Sequence, residues 1–299
     1  MLPIVHHPAY QADIPADHRF PMGKFRRLAE VLMEERLVAP GGFHVPEPAP
    51  AAWLALAHEA PYVEAVLGGM VAPAVAREIG FPMTESVALR ARCATAGTVL
   101  AARLALAHGL ALNTAGGSHH ARRAHGAGFC VFNDVAVAAR VLLAEGQAAR
   151  VLVIDLDVHQ GDGTADIFAG DDRVVTFSAH AEKNYPVRKV PSTVDVALPD
   201  GLGDSGYLAM LDDHLDTLID RAAPDLVFYN AGVDPHADDR LGRLALTDRG
   251  LEARDARVIE AVRGRGLPLA GVIGGGYDTD VDRLARRHAT LHRVAARFA

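Results

Sequence analysis

The sequence predicts an α/β fold, with a parallel sheet and helices packed on both of its faces. Three observations carry that expectation. Short β-branched runs ending in Gly, Asp or Asn recur along the chain, a stretch with helical hydrophobic spacing follows each, and the runs are apolar throughout instead of alternating. Strands of that kind are buried on both faces, as in a parallel sheet covered by crossover helices.

The elements follow in order. Leu110–Asn113, just before Ala-Gly-Gly, reads as a strand, as do Val151–Leu156 (VLVIDL), Val174–Phe177, Asp225–Asn230 (DLVFYN) and Leu269–Ile273 (LAGVI). Helical spacing covers about 86–108, 131–145, 206–222, 248–263 and 279–298. The Pro/Gly-rich segments at 40–50 and 199–206 read as surface loops, and no repeat or low-complexity segment interrupts the pattern. Residues 1–299 are therefore expected to form one domain.

Composition narrows the function class. Half of the 299 residues are hydrophobic and 22% are charged, enough for a sizeable core. A formal charge of −7 argues against a nucleic-acid backbone as partner. The two cysteines, Cys93 and Cys130, form no CxxC pair, so a disulfide framework is not expected and a reducing cytoplasm fits. The start MLPIVHHPAY lacks a secretory pattern, and Arg90, Arg92 and Arg103 break the most apolar helix, so no membrane association is expected. Lysine occurs only at 24, 183 and 189, and this bias toward Arg and Ala matches a GC-rich bacterial genome.

Polar clusters stand just past the strands, where open α/β sheets bind ligands. In DLDVHQGDGT (155–164), Asp155, Asp157 and His159 alternate, so an extended chain would aim all three to one side. Two carboxylates buried together call for a cation, and the mixed O/N set suits zinc, with ferrous iron or manganese a poorer match. In NAGVDPHADDRLG (230–242), Asp234 would complete three protein ligands and leave a position open for water and substrate. Asp238 and Asp239 read as turn caps, and His236 as an exposed residue.

In AGGSHHARRAHGAGFCVFND (115–134), the adjacent His119 and His120 are poorly placed to share one metal. They can instead take a proton from an activated water and give one to a departing amine. Each needs an orienting carboxylate, with Asp155 and Asp162 the nearest candidates, while His125 reads as a loop residue. In IGGGYDTD (273–280), three glycines allow close backbone approach and Tyr277 can donate to a developing oxyanion. The glycine spacing matches neither phosphate-binding pattern.

Together, HH, DxDxHQGDG, NAGxDxxxxDxLG and GGGY, in this order, closely resemble the histone deacetylase family over roughly 10–295. DHRFPMGKF (17–25) and NYPVRKVPSTVDVALPDG (184–201) are most similar to class IV and related bacterial members. The resemblance implies the arginase/deacetylase fold, with about eight parallel strands. It implies zinc on Asp157, His159 and Asp234, a tandem acid/base pair of His119 backed by Asp155 and His120 backed by Asp162, and Tyr277 polarising the scissile carbonyl. It further implies an acyl tunnel at Gly128 and Phe129 with Tyr185 and Leu241 on the opposite walls, and a potassium site at Asp155 and Ser178. The loop at 72–90 offers Glu78 and Glu85 where class I members grip a peptide backbone, and Tyr185 stands where other members often carry Phe.

The activity so implied is hydrolysis of an acylated amine, either acetyl- or longer acyl-lysine or a small molecule such as an acetylpolyamine. A catalytically silent acyl-binding protein and an arginase-like binuclear manganese hydrolase are the competing classes. The latter would need further carboxylates at the metal loop.

Overall fold

The computed structural model describes residues 1–299. Seven strands form one all-parallel sheet: β1 (Ile4–Val5), β2 (Leu110–Asn113), β3 (Val151–Asp155), β4 (Val174–Ala181), β5 (Val194–Leu198), β6 (Leu226–Asn230) and β7 (Leu269–Val272). Their order across the sheet is β1-β2-β7-β6-β3-β4-β5. Around it pack α1 (Lys24–Glu34), α2 (Ala51–Leu54), α3 (Ala60–Leu67), α4 (Pro73–Ile79), α5 (Glu85–His108), α6 (Asp134–Ala144), α7 (Asp162–Phe168), α8 (Asp204–Ala222), α9 (Asp248–Arg263) and α10 (Val281–Ala295). One continuous hydrophobic core joins sheet and helices.

About eight strands were expected and seven form. The segment that could supply another edge strand makes only a single parallel bridge, Val5 to His44. Pro40, Pro46, Pro48 and Pro50 surround it and remove the N–H groups a longer ladder would need. Strand β4 runs four residues beyond its expected end, because Ser178 and His180 interrupt the apolar run without interrupting its pairing to β5. Strand β5 itself was missed: VDVAL alternates half-buried and exposed positions before the buried Leu198, as an edge strand does, and carries no continuous apolar signal.

The five inner strands β2, β3, β4, β6 and β7 are buried along their whole length. From β3 the chain proceeds to β4 and β5 on one side and returns through β6 to β7 on the other. The β3/β6 boundary is therefore the topological switch point, where a crevice opens at the carboxyl ends of the strands. Asn230, Asp155 and Ser178 lie in one register row across β6, β3 and β4 and mark the floor of that crevice.

No helix is long and apolar enough to cross a membrane. The longest, α5, spans 24 residues and starts where the Thr84 side chain accepts a hydrogen bond from Val87 N–H. Thr84→Ala is expected to lower unfolding free energy by about 1 kcal/mol, read as a shift of the urea midpoint at constant slope.

Candidate active site

Past Asp155 the chain stops being a strand. Asp157 N–H donates to Asp155 Oδ1 at 3.1 Å, and His159 N–H to Asp157 Oδ1 at 3.0 Å, so two successive Asx turns curl the segment. This corrects the strand-alternation argument. The curl carries Asp157 and His159 to the switch point, while Asp155 turns to the histidine pair. From β6 the next loop brings Asp234, whose Oδ1 accepts from Val158 N–H at 2.9 Å.

The metal-capable atoms of Asp157, His159 and Asp234 lie within 4.8 Å of one another, and all three residues are buried. His159 Nδ1 is 3.0 Å from Asp157 Oδ1 and 3.2 Å from Asp234 Oδ2. Gly275 N–H donates to Asp157 Oδ2 at 2.7 Å, and a Cβ at position 275 would collide with both carboxylates. Only glycine lets the backbone pass there.

The electrostatics expose a missing positive charge. Burial, reinforced by the Asp157 charge, pushes Asp234 up to about 7. Burial also presses His159 downward, but its hydrogen bond to Asp157 and the nearby Asp234 carboxylate outweigh this and raise it to about 10. Asp234 Oδ2 is buried without a hydrogen bond. Two carboxylates, one of them with an orphaned oxygen, and one imidazole are a donor set that fits one divalent metal ion of the zinc type, with coordination positions to spare.

The histidine pair is mounted on the loop after β2. Asp134, opening α6, accepts from Gly117 N–H at 3.1 Å and Ser118 N–H at 2.7 Å. His119 Nδ1 lies 2.7 Å from Asp155 Oδ2, His120 Nδ1 lies 2.6 Å from Asp162 Oδ1, and the rings are 4.1 Å apart. Burial lowers both imidazoles. For His119 the Asp155 and Asp157 charges prevail and raise it to about 9, whereas burial and the His119 charge press His120 down to about 4. The two imidazoles are thus shifted in opposite directions, the kind of separation that distinguishes an acid from a base.

Tyr277 follows the glycine turn, with its N–H donating to Asp239 Oδ2 at 2.7 Å. Asp239 also caps its own turn through Leu241 and Gly242, as expected of it. The Tyr277 ring stands perpendicular to His159 at 6.2 Å and against Phe129 at 6.0 Å. Burial and the Asp157 and Asp234 charges push the phenol well above its usual 10, so it stays a donor.

A cleft of about 390 Å³ opens above His120, His159 and Tyr277, walled by Gly128, Phe129, Tyr185 and Leu241. Gly128 and Phe129 have φ of +54° and +66°, and a Cβ at 128 would sit 2.6 Å from His120 Cδ2. The Tyr185 ring is perpendicular to His120 at 4.8 Å. Glu78 lines the cleft mouth, whereas Glu85 is a first-turn residue of α5 and does not. Beyond the histidines a second space of about 30 Å³ is bounded by Phe20, Arg90, Ser118 and Cys130.

Ser178 and Asp155 are register partners. Asp155 Oδ1 already accepts from Asn230 Nδ2 at 2.9 Å, and Ser178 Oγ from Gly161 N–H at 3.3 Å. His236 was expected to be exposed and is buried instead, with Nε2 3.3 Å from an Asp248 carboxylate oxygen. The parallel bridge between His236 and Leu246 draws it inward.

Sequence reasoning missed three supporting residues. Lys24, buried in α1, donates to Gly274 O at 3.3 Å and Gly276 O at 3.4 Å, clamping the turn that presents Tyr277. Gln160 exchanges bonds with Val190 (2.8 and 3.0 Å) and so ties the metal loop to the segment carrying Tyr185. Arg254, fully buried in α9, donates to Gly232 O at 2.5 Å and to Leu156 O and Ala231 O at 3.4 Å. Those carbonyls lie one to three residues before Asp157 and Asp234, and Asp255 neutralises Arg254 at 2.8 Å. The only sequence signal was an arginine on the core face of α9.

A histone deacetylase domain pattern matches residues 18–292. The chain belongs to the histone deacetylase family. It is 31% identical over 272 residues to Histone deacetylase 2 of Arabidopsis thaliana, covering 87% of this chain and 70% of that one. An uncharacterized protein of Picosynechococcus is 50% identical over 293 residues, 98% of each chain. A probable deacetylase of Archaeoglobus fulgidus is 35% identical over 176 residues, 54% of this chain and 48% of that one. The HDA15 HD domain shares the fold with a TM-score of 0.79 at 22% identity, over 98% of this chain and 88% of that one. Membership places the chain among deacetylase-type hydrolases.

Arg254→Met would strand Asp255 as a buried charge and is expected to cost about 3–5 kcal/mol in urea denaturation. In the double variant with Asp255→Leu that penalty is relieved. Chelator competition should still show at least about tenfold weaker metal binding, because the loop carbonyls have lost their donor.

Proposed function

We propose that the chain is a zinc-dependent deacylase that hydrolyses the amide of acetyl-lysine. The observation that carries this reading is the convergence of an Asp–His–Asp triad, two carboxylate-backed imidazoles and one tyrosine on the floor of a single cleft. Asp157, His159 and Asp234 would hold the zinc, with ferrous iron the alternative. When bound, the ion supplies Lewis acidity to the carbonyl and lowers the pKa of a water. Asp155 and Ser178 are proposed to share a potassium ion, which would offset the carboxylate charge behind His119.

The remaining work falls to the chain's own groups. Tyr277 donates a hydrogen bond to the carbonyl oxygen as negative charge develops there. Neutral His120, held by Asp162, accepts a proton from the attacking water, and protonated His119, held by Asp155, returns one to the departing amine. Phe129, Tyr185 and Leu241 enclose the aliphatic stem of the lysine, and Gly128 leaves room for it beside His120. Only one cluster of metal-capable side chains gathers, which supports a mononuclear site over an arginase-like pair.

The inner end of the site supports a short acyl group. Its space of about 30 Å³ has room for only about two water-sized groups. It ends on Arg90, whose guanidinium is buried against the Phe25 ring at 4.7 Å and whose Nε donates to Tyr10 O at 3.0 Å. That anchored side chain closes the inner end against a longer alkyl chain, which could enter only by displacing packed groups.

Tyr277→Phe should lower kcat on an acetyl-lysine peptide by about 100-fold or more, the scale of a lost oxyanion donor; full activity would refute the mechanism. In an acyl panel run with the zinc-loaded enzyme, acetyl-lysine should exceed octanoyl- and myristoyl-lysine by at least about tenfold in kcat/KM, a step of about 1.4 kcal/mol. Activity should vanish on chelation and return with zinc.

A further inference from the structure

The mouth of the cleft carries a charge opposite to that of the chain. The protein has a formal charge of −7, yet three cations, Arg19, Lys183 and Arg243, border the entrance. Lys183 and Arg243 share one carboxylate, Asp200, at 3.9 and 3.2 Å. One acid therefore stands against two cations. Glu78, 3.3 Å from His125 Nδ1, adds a second acid at the mouth, so three cations stand against two carboxylates.

Arg19 is the decisive group. It has no carboxylate partner, and its guanidinium lies 4.8 Å from the centre of the Phe129 ring, the side chain that walls the acyl channel. A cation–π contact of this kind holds the guanidinium beside the ring without using its N–H groups on a carboxylate, and a guanidinium fork matches a carboxylate in geometry. The mouth loop is also held in place: Asn184 Nδ2 donates to Leu241 O at 2.6 Å, and Lys189 Nζ to Asn184 O and Pro186 O at 2.6 Å each. Lys183 and Arg243 thus project from backbone segments that are tied to each other.

The geometry points to Arg19, with Lys183 and Arg243 opposite, as specificity-determining residues that select an acylated amine carrying a carboxylate next to the reacting side chain. This rests on the deacylase reading and narrows its substrate to acidic acyl-lysine segments or free N-acyl amino acids. Polycations, whether acetylated polyamines or Lys/Arg-rich tails, would meet repulsion at the entrance before reaching the metal site. Exposed charge pairs are individually weak, so each contact is expected to change affinity by up to about fivefold. The effect belongs in KM, since none of these groups reaches the scissile amide.

The test compares two acetyl-lysine peptides of equal length, one flanked by Glu and one by Lys, on the zinc-loaded enzyme at low ionic strength. The Glu-flanked peptide should show about tenfold lower KM with similar kcat. The gap should close near 1 M salt, where the screening length falls to about 3 Å. Arg19→Glu combined with Arg243→Glu should invert the ranking, and Arg19→Gln should reduce it. The same labelled peptides are also ranked by fluorescence anisotropy. If no acylated amine is hydrolysed but the Glu peptide still binds more tightly, the deacylase reading fails and the rim assignment stands. Equal or reversed ranking in both assays, or no binding of either peptide, overturns the rim assignment.

Discussion

Two carboxylates, Asp157 and Asp234, are buried side by side at the carboxyl end of the sheet, and much of the surrounding structure answers that arrangement. Like charges at this depth destabilise each other unless positive charge and hydrogen-bond donors surround them. His159 lies between them, Gly275 N–H and Val158 N–H each donate to one, and Lys24 sits behind the glycine turn. These donors do not complete the compensation, since Asp234 Oδ2 remains without a hydrogen bond. A divalent cation would complete it, and the chemistry of this donor set suits one.

The same logic repeats one layer out. Asp155 and Asp162 are each committed to one imidazole, and Arg122 secures Asp162 at 2.7 Å, so the two histidines experience different fields although they are neighbours in sequence. Arg254 extends the scaffold from α9 to the carbonyls beneath both metal loops. Burying an arginine is costly. Here the Asp255 pairing and three backbone acceptors offset that cost, and the loops gain an anchor that backbone pairing alone does not provide.

On the proposed reading, selectivity would arise at two depths by different physics. At the inner end, limited volume against the anchored Arg90 side chain would act on the acyl group through packing. At the mouth, exposed cations would act on the rest of the substrate through weak, salt-screened fields. The first would sort acyl groups by size. The second would grade substrates by charge without touching the reacting bond.

The sequence by itself determined the α/β class, the order of the inner strands along the chain, and the residues that meet at the site. Apolar runs and glycine-flanked polar clusters are local signals, and His119, Asp157, Asp234 and Tyr277 each stood within such a cluster. What it misjudged depended on partners far away in the chain. Alternation along DLDVH implied a shared face, but side chains accepting from backbone N–H groups two residues on curl that segment instead. The edge strand β5 and the buried state of His236 depend on which neighbours cover them. Lys24, Gln160 and Arg254 could not be singled out, because a lone polar residue acquires its meaning only from the carbonyls it reaches. The tertiary structure also decided the charge of the rim, for Arg19, Lys183 and Arg243 are scattered over more than two hundred residues and converge only when the loops close around the cleft.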